Sequence, residues 1–283
     1  MSFDPDDIGV NNGNIFGFPS TENEAKVLLI PVPWDATASY GRGSSAGPQA
    51  MLEASTQIDF FHPEVENAWE KKIYMTPISE DWKNINDKLA KRTAKYIHFL
   101  ENGGDLKENK EHQETIKEVA VAQNYLRDNL KARSVKAISN GQKVGVVGGE
   151  HSSPLGLIDA LADKYESFGI LQIDAHADLR NGYEGFEQSH ASIMHNALQH
   201  KSVTSLVQVG VRDVSQSEVG YINSDARITP FYDWDIKSNQ FEGATWSSQC
   251  KDIVNKLPQK VYVSFDIDGL KPYLCSNTGT PVP

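Results

Sequence analysis

The chain has 283 residues, 39% hydrophobic and 23% charged, enough for one large or two small domains with a sizeable buried core. Lys and Arg number 27 against 38 Asp and Glu, a net charge of −11, which argues against nucleic acid or an anionic membrane as the main partner and suits a cationic one. Two cysteines make neither a disulfide framework nor a thiolate zinc site, and the longest apolar run, V-L-L-I-P-V-P-W at 27–34, is far short of the ~18 residues that cross a bilayer. With no apolar secretory core in M-S-F-D-P-D-D, the expectation is a soluble cytoplasmic protein.

In chain order, the first predicted element is a strand at 27–32. Residues 84–140 break the rhythm that follows: they are dense in Lys and Glu, interrupted at Gly103-Gly104, and read as a helical insertion of two long helices. In the second, Ile116, Val119, Leu126 and Leu130 keep one face apolar before Asn140-Gly141 supplies a stop. Strands are then predicted at 144–147, 169–173, 205–209 and 261–265, with helices at 154–165 and 247–257 between them. The strand runs are continuous rather than alternating, the mark of parallel strands covered on both faces. Strands alternating with helices indicate an α/β fold with a mainly parallel sheet.

Three segments gather metal-ligand residues, each at the C-terminal end of a predicted strand: Gly148-Gly149-Glu150-His151-Ser152, Asp174-Ala175-His176-Ala177-Asp178 and Ser264-Phe265-Asp266-Ile267-Asp268. In extended chain, residues i, i+2 and i+4 point to one side, so Asp174, His176 and Asp178 can converge, as can Asp266 with Asp268. Open α/β sheets place ligand sites at these strand ends. Asp174, Asp178, Asp266 and Asp268 with His151 and His176 offer four carboxylates and two imidazoles. Four such charges repel unless cations neutralise them, and two divalent ions bring the formal sum to zero. Carboxylate and imidazole without thiolate suit Mn²⁺, with Zn²⁺, Fe²⁺ or Co²⁺ as alternatives. Paired ions about 3.5–4 Å apart activate water and orient an electrophile.

In these motifs the chain resembles the ureohydrolase family of arginases, agmatinases and formimidoylglutamases. The matching stretches are G-G-E-H-S at 148–152, D-A-H-A-D at 174–178, and S-F-D-I-D-G-L-K-P at 264–272 running on to T-G-T-P-V-P at 278–283. V-P-W-D-A-T-A-S-Y-G-R-G-S-S-A-G-P-Q-A-M at 32–51 resembles the family's first strand and loop. The resemblance covers most of the chain outside 84–140. It implies a single domain over 1–283 with a three-layer α/β/α fold, two Mn²⁺ per subunit, hydrolysis of a guanidino or formimino carbon, and a homo-oligomer, trimeric or hexameric. By motif, His151 and Asp178 hold one ion, His176 and Asp268 the other, and Asp174 and Asp266 bridge both and share in catalysis. His190, fourteen residues after His176, resembles the family histidine near the leaving group and is the expected proton donor. His195 and His200 read as structural.

The stretch D-L-R-N-G-Y-E-G-F-E-Q-S-H-A-S-I-M-H at 178–195 looks more like agmatinases than arginases. Arginases usually carry a second aspartate after the G-x-R-D segment, where this chain has Ser215. The expected substrate is therefore agmatine, a small cationic guanidino compound, giving putrescine and urea; formimidoylglutamate, arginine and guanidinobutyrate are the alternatives. Arg180, Tyr183 and Glu184 are candidate substrate-pocket residues, and Arg212 with Asp213 a candidate structural ion pair. Lys271 stands where the family usually has Asp, and the sequence stops at Pro283 inside a motif the family continues, so the expectation is a truncated C-terminal part. Two rival readings follow: a catalytically impaired metal-binding fragment, or a calcineurin-like phosphoesterase, whose G-D-x-x-D and G-N-H-[DE] segments are absent.

Overall fold

A computed structural model describes residues 3–280 and Val282. Two units divide the chain: one runs to Ala38 and over Arg42–Ala160, the other joins Ser39–Gly41 to the chain from Leu161 onward.

The first unit contains β1 (Val27–Val32), α1 (Gly47–Ser55), β2 (Ile73–Met75), α2 (Glu80–Glu101), α3 (Lys110–Ser139), β3 (Lys143–Gly148) and the start of α4 (Leu155–Lys164). Its three strands pair in the order β2-β1-β3, all parallel. Pro31 is tolerated in the central strand for a local reason. The Leu29 carbonyl faces β2 and accepts from Thr76 N at 2.9 Å; Pro31, two residues on, faces the same side past the end of β2, where no ladder bond is lost. The expected helical region is present as α2 and α3. Ser79 caps α2 by accepting from Trp82 N, and Trp82, Leu89, Tyr96 and Ile97 form its buried face. Asn109 caps α3, whose Val119, Leu126 and Leu130 are buried, and Gly141, at φ +78°, ends it.

The second unit holds β4 (Phe168–Ile173), α5 (Ile193–Ala197), β5 (Val203–Val209), α6 (Gln216–Ser224), β6 (Ile228–Phe231), α7 (Asp233–Phe241), α8 (Trp246–Val254) and β7 (Val261–Phe265). These strands order β6-β5-β4-β7, again all parallel. The parallel α/β expectation therefore holds, distributed over two ladders. One strand departs from it: β7 is not covered on both faces, since Val261, Val263 and Phe265 are exposed. Among the described residues it lies at the edge of its ladder, paired with β4. Among the described residues, no helix is long and apolar enough to cross a membrane. Pro281 and Pro283 of the 278–283 motif lie outside the described residues.

Candidate metal centre

The central strand β4 delivers the D-A-H-A-D segment. The backbone stays extended past Ile173, with Asp174 N donating to Val209 O at 3.1 Å and His176 bridging in parallel to Asp213. Alternation then sends Ala175 and Ala177 into the interior, both fully buried, and turns Asp174 and His176 the other way. From the neighbouring β7, Asp266 N donates to Ile173 O at 2.9 Å, and Asp266 caps a short 3-10 turn, Ile267–Gly269, by accepting from Asp268 N. Asp268 comes back to β4: its Oδ1 accepts from Ala175 N at 3.1 Å.

Asp174, His176 and Asp268 thus converge, each with a ligating atom within 4.8 Å of the other two. His176 Nδ1 lies 3.1 Å from Asp268 Oδ2 and 3.6 Å from Asp174 Oδ1. Burial works to lower the His176 pKa, but hydrogen bonds to Asp174 and Asp268, with the charges of Asp268 and Asp178, outweigh it and push it up to about 11. The carboxylates therefore favour a cation at this point. On the other side of the ring, Nε2 meets Thr280 Oγ1 at 2.5 Å. An imidazole with one nitrogen among carboxylates and the other on a protein oxygen has the arrangement of a metal-ligating histidine, so this donor set fits a divalent ion.

Three supports were not legible as functional from the sequence. Gln172, buried on β4, donates to Asp174 Oδ2 at 2.8 Å. Gln208 on β5 donates in turn to Gln172 Oε1 at 2.7 Å. Arg212 spans the β7 loop, giving Nη2 hydrogen bonds to Asp268 O (2.7 Å) and Leu270 O (3.0 Å) and an Nε bond to Val282 O (2.9 Å). That geometry corrects the expected ion pair: Arg212 binds carbonyls instead of Asp213, because adjacent residues of an extended segment point to opposite sides. The only signal for the glutamines was a polar residue inside each of two apolar runs.

The other expected residues fall as follows. Asp178 is buried at φ +53°, and its carbonyl accepts from Met194 N and His195 N at the start of α5. Asp266 is half-buried. His151, half-buried, follows β3 in the first unit. Beside it, burial raises the Glu150 pKa to about 7, opposed by hydrogen bonds from Thr37 and Ser152. Arg180, Tyr183 and His190 do come together. The Arg180 guanidinium stands 4.7 Å over the Tyr183 ring, and the His190 ring meets Tyr183 edge-on at 5.9 Å. Glu184 and Gly185, both at positive φ, make the tight turn that pairs Tyr183 with Phe186. His190 Nε2 reaches Ser39 Oγ at 3.3 Å. His195 packs on Tyr221, in keeping with a structural role. Ser215 caps α6 in a reciprocal box with Glu218, and Glu218 also accepts from Leu179 N at 3.1 Å and lies 3.6 Å from Arg180 Nε. Lys271 stands 5.9 Å from the Tyr273 ring.

The sequence model of the arginase family matches residues 25–283. An N(1)-aminopropylagmatine ureohydrolase from Synechocystis sp. is 26% identical over 261 residues, which cover 92% of this chain and 72% of the relative. An agmatinase from Serratia proteamaculans is also 26% identical, over 94% of this chain and 72% of its own length. Among solved structures, the agmatine ureohydrolase of Thermoplasma volcanium superposes with a TM-score of 0.70 at 21% identity, over 97% of this chain and 78% of that one; this likeness establishes the arginase-like fold.

Proposed function

This chain belongs to the arginase family, and from that membership we propose that it hydrolyses the guanidino C–N bond of agmatine, giving putrescine and urea, with two Mn²⁺ bound per subunit. The observation that carries the reading is the convergence of Asp174, His176 and Asp268 at the ends of β4 and β7. Following the motifs, His176 and Asp268 would hold one ion and His151 and Asp178 the other, with Asp174 and Asp266 available to both. When bound, such ions supply Lewis acidity and the positive charge these carboxylates require.

The remaining work falls to side chains. His190 moves a proton at Nε2 to the departing amine nitrogen, held for that task by Ser39 and by the edge of Tyr183. Arg180, Tyr183 and Glu184 line the approach for the substrate. Ser215 supports agmatine over arginine: it stands where arginases usually carry an aspartate, and the carboxylate it meets, Glu218, is buried and already taken by Ser215 Oγ at 2.6 Å, Ser215 N and Leu179 N. The net charge of −11 suits a substrate cationic at both ends. A cytoplasmic homo-oligomer, trimeric or hexameric, completes the proposal.

The names of the aminopropylagmatine-hydrolysing relatives favour a second reading, an agmatine extended by an aminopropyl group. Urea release from agmatine, N(1)-aminopropylagmatine and arginine, with and without Mn²⁺, separates these. The expected result is Mn²⁺-dependent urea, with kcat/KM for agmatine about tenfold or more above that for arginine. Arginine ahead by the same margin sinks the choice of agmatine. Mn²⁺ binding without urea from any of the three leaves a metal-binding scaffold.

A further inference from the structure

Two amide side chains lie inside the second unit where the apolar character of their strands gives them no obvious place. Gln172 on β4 and Gln208 on β5 are register partners, and neither exposes any surface. A buried amide is unfavourable unless its hydrogens and oxygen find partners. Here the partners form a directed chain. Gln208 Nε2 donates to Gln172 Oε1 and to Ala177 O, both at 2.7 Å. Gln172 Nε2 donates to Asp174 Oδ2 at 2.8 Å and to His176 O at 3.3 Å.

The direction is enforced at each step. An amide can present either its oxygen or its nitrogen, and an oxygen turned toward the Asp174 carboxylate would be repelled. Gln172 is kept from flipping because its oxygen is occupied by Gln208. Gln208 is kept from flipping because two acceptors face its nitrogen; its own Oε1 is buried with no hydrogen-bond partner, the cost of that arrangement. The same two side chains also grip the backbone carbonyls of His176 and Ala177, and so hold the extended path of 174–178.

We propose that Gln208 and Gln172 are positioning residues, a two-amide relay that sets the Asp174 carboxylate and the course of the D-A-H-A-D segment for cation binding. The relay rests on the reading of Asp174 as a metal ligand. Neither glutamine touches the reacting atoms; Gln208 acts only through Gln172 and the backbone.

The test measures the Mn²⁺ dissociation constant of the 283-residue chain by titration calorimetry. Gln172→Met and Gln208→Met keep side-chain length and remove the hydrogen bonds, and the double variant closes a thermodynamic cycle. Each single change is expected to raise the Mn²⁺ dissociation constant about tenfold or more. The Gln208 change is expected to add less once Gln172 is already Met than it does alone, since only its grip on Ala177 O then remains. Gln208→Asn keeps an amide but shortens its reach, and serves where a methionine variant does not fold; it too is expected to weaken Mn²⁺ binding. Unchanged Mn²⁺ affinity in Gln172→Met or in Gln208→Asn overturns the relay, as do fully independent effects in the double variant. Asp174→Ala separates the two levels: Mn²⁺ affinity unaltered by that change overturns the ligand reading and the relay together, whereas affinity lost there but kept in the glutamine variants overturns the relay alone.

Discussion

Gly269 passes Asp174 so closely that a Cβ added to it would stand 2.9 Å from the Asp174 backbone nitrogen and 3.2 Å from its Cα. The atoms it would meet are backbone atoms of Asp174 and of Ile173, the last residue of the interior strand β4, and cannot swing aside as a flexible side chain would. This close approach is what lets the Asp266–Asp268 turn lie against β4 and bring Asp268 to His176. Gly269→Ala is therefore expected to lower stability by about 1–3 kcal/mol, the usual range for overpacking, and to weaken Mn²⁺ binding as well. Denaturant unfolding and metal titration check both. An alanine variant with unchanged midpoint and unchanged affinity would show that the turn has room to spare.

Arg212 fastens the same turn from its other side through the carbonyls of Asp268, Leu270 and Val282. Arg212→Ala leaves those oxygens to water and is expected to cost about 2 kcal/mol, since hydrogen bonds from charged donors are among the stronger ones. The sharper readout is local. Amide hydrogen exchange at Gly269 and Leu270 is expected to speed up well beyond the change at β4. Arg212→Lys is expected to recover only part of the protection, because an ammonium cannot reproduce the guanidinium fork. Equal exchange in Arg212→Ala and the parent protein would count against the clamp.

How much of this was legible in the sequence depended on whether the governing interaction was local. The strands 27–32 and 261–265 are found at those bounds because a mostly apolar run of five or six residues ended by a turn residue is a local signal. Ile73–Met75 and Ile228–Phe231 give no such signal: three or four residues carry too little pattern, and Pro230 interrupts the second. The exposed face of β7 was invisible for a different reason. A continuous apolar run reads alike whether a strand is covered on both sides or lies at an edge. The ligand trio was legible because D-x-H and D-x-D place their side chains by simple alternation. Gln172 and Gln208 were visible only as oddities, since their meaning depends on β4 and β5 lying in one register, 36 residues apart in sequence.

Glu218 is buried and meets four partners: it accepts from Leu179 N, Ser215 N and the Ser215 hydroxyl, and pairs in charge with Arg180 Nε at 3.6 Å. Two of these belong to the cap of α6, and two to the segment directly after Asp178. Ser215→Ala removes only the hydroxyl part of the cap and is expected to cost about 1 kcal/mol. Glu218→Ala also leaves Leu179 N unpaired and frees Arg180, so it is expected to cost about 2–4 kcal/mol. Urea turnover is expected to follow the same order, with KM rising in Glu218→Ala as Arg180 loses its support. Equal stability losses in the two variants would mean that Glu218 matters only as a helix cap.

Asp35 provides the test in pH. It is buried, and burial alone would raise its pKa, but hydrogen bonds from Gly43 N (2.9 Å), Asn86 Nδ2 (3.0 Å) and Ser45 N and Oγ (3.3 and 3.0 Å) hold it below the ordinary 3.8. A carboxyl whose folded pKa is depressed contributes stability above its unfolded value and loses that contribution as pH falls through the folded value. The Asp35 contribution is therefore fully present at neutral pH and disappears below about 3.8. Asp35→Asn keeps the shape but removes the charge that these donors favour, and is expected to cost about 2 kcal/mol near pH 7. Urea unfolding of both proteins from pH 7 downward should show the gap closing only below that value. A gap constant down to pH 3 would mean that Asp35 is held by shape and not by charge, and that the loop from 35 to 45 does not need an ionised anchor.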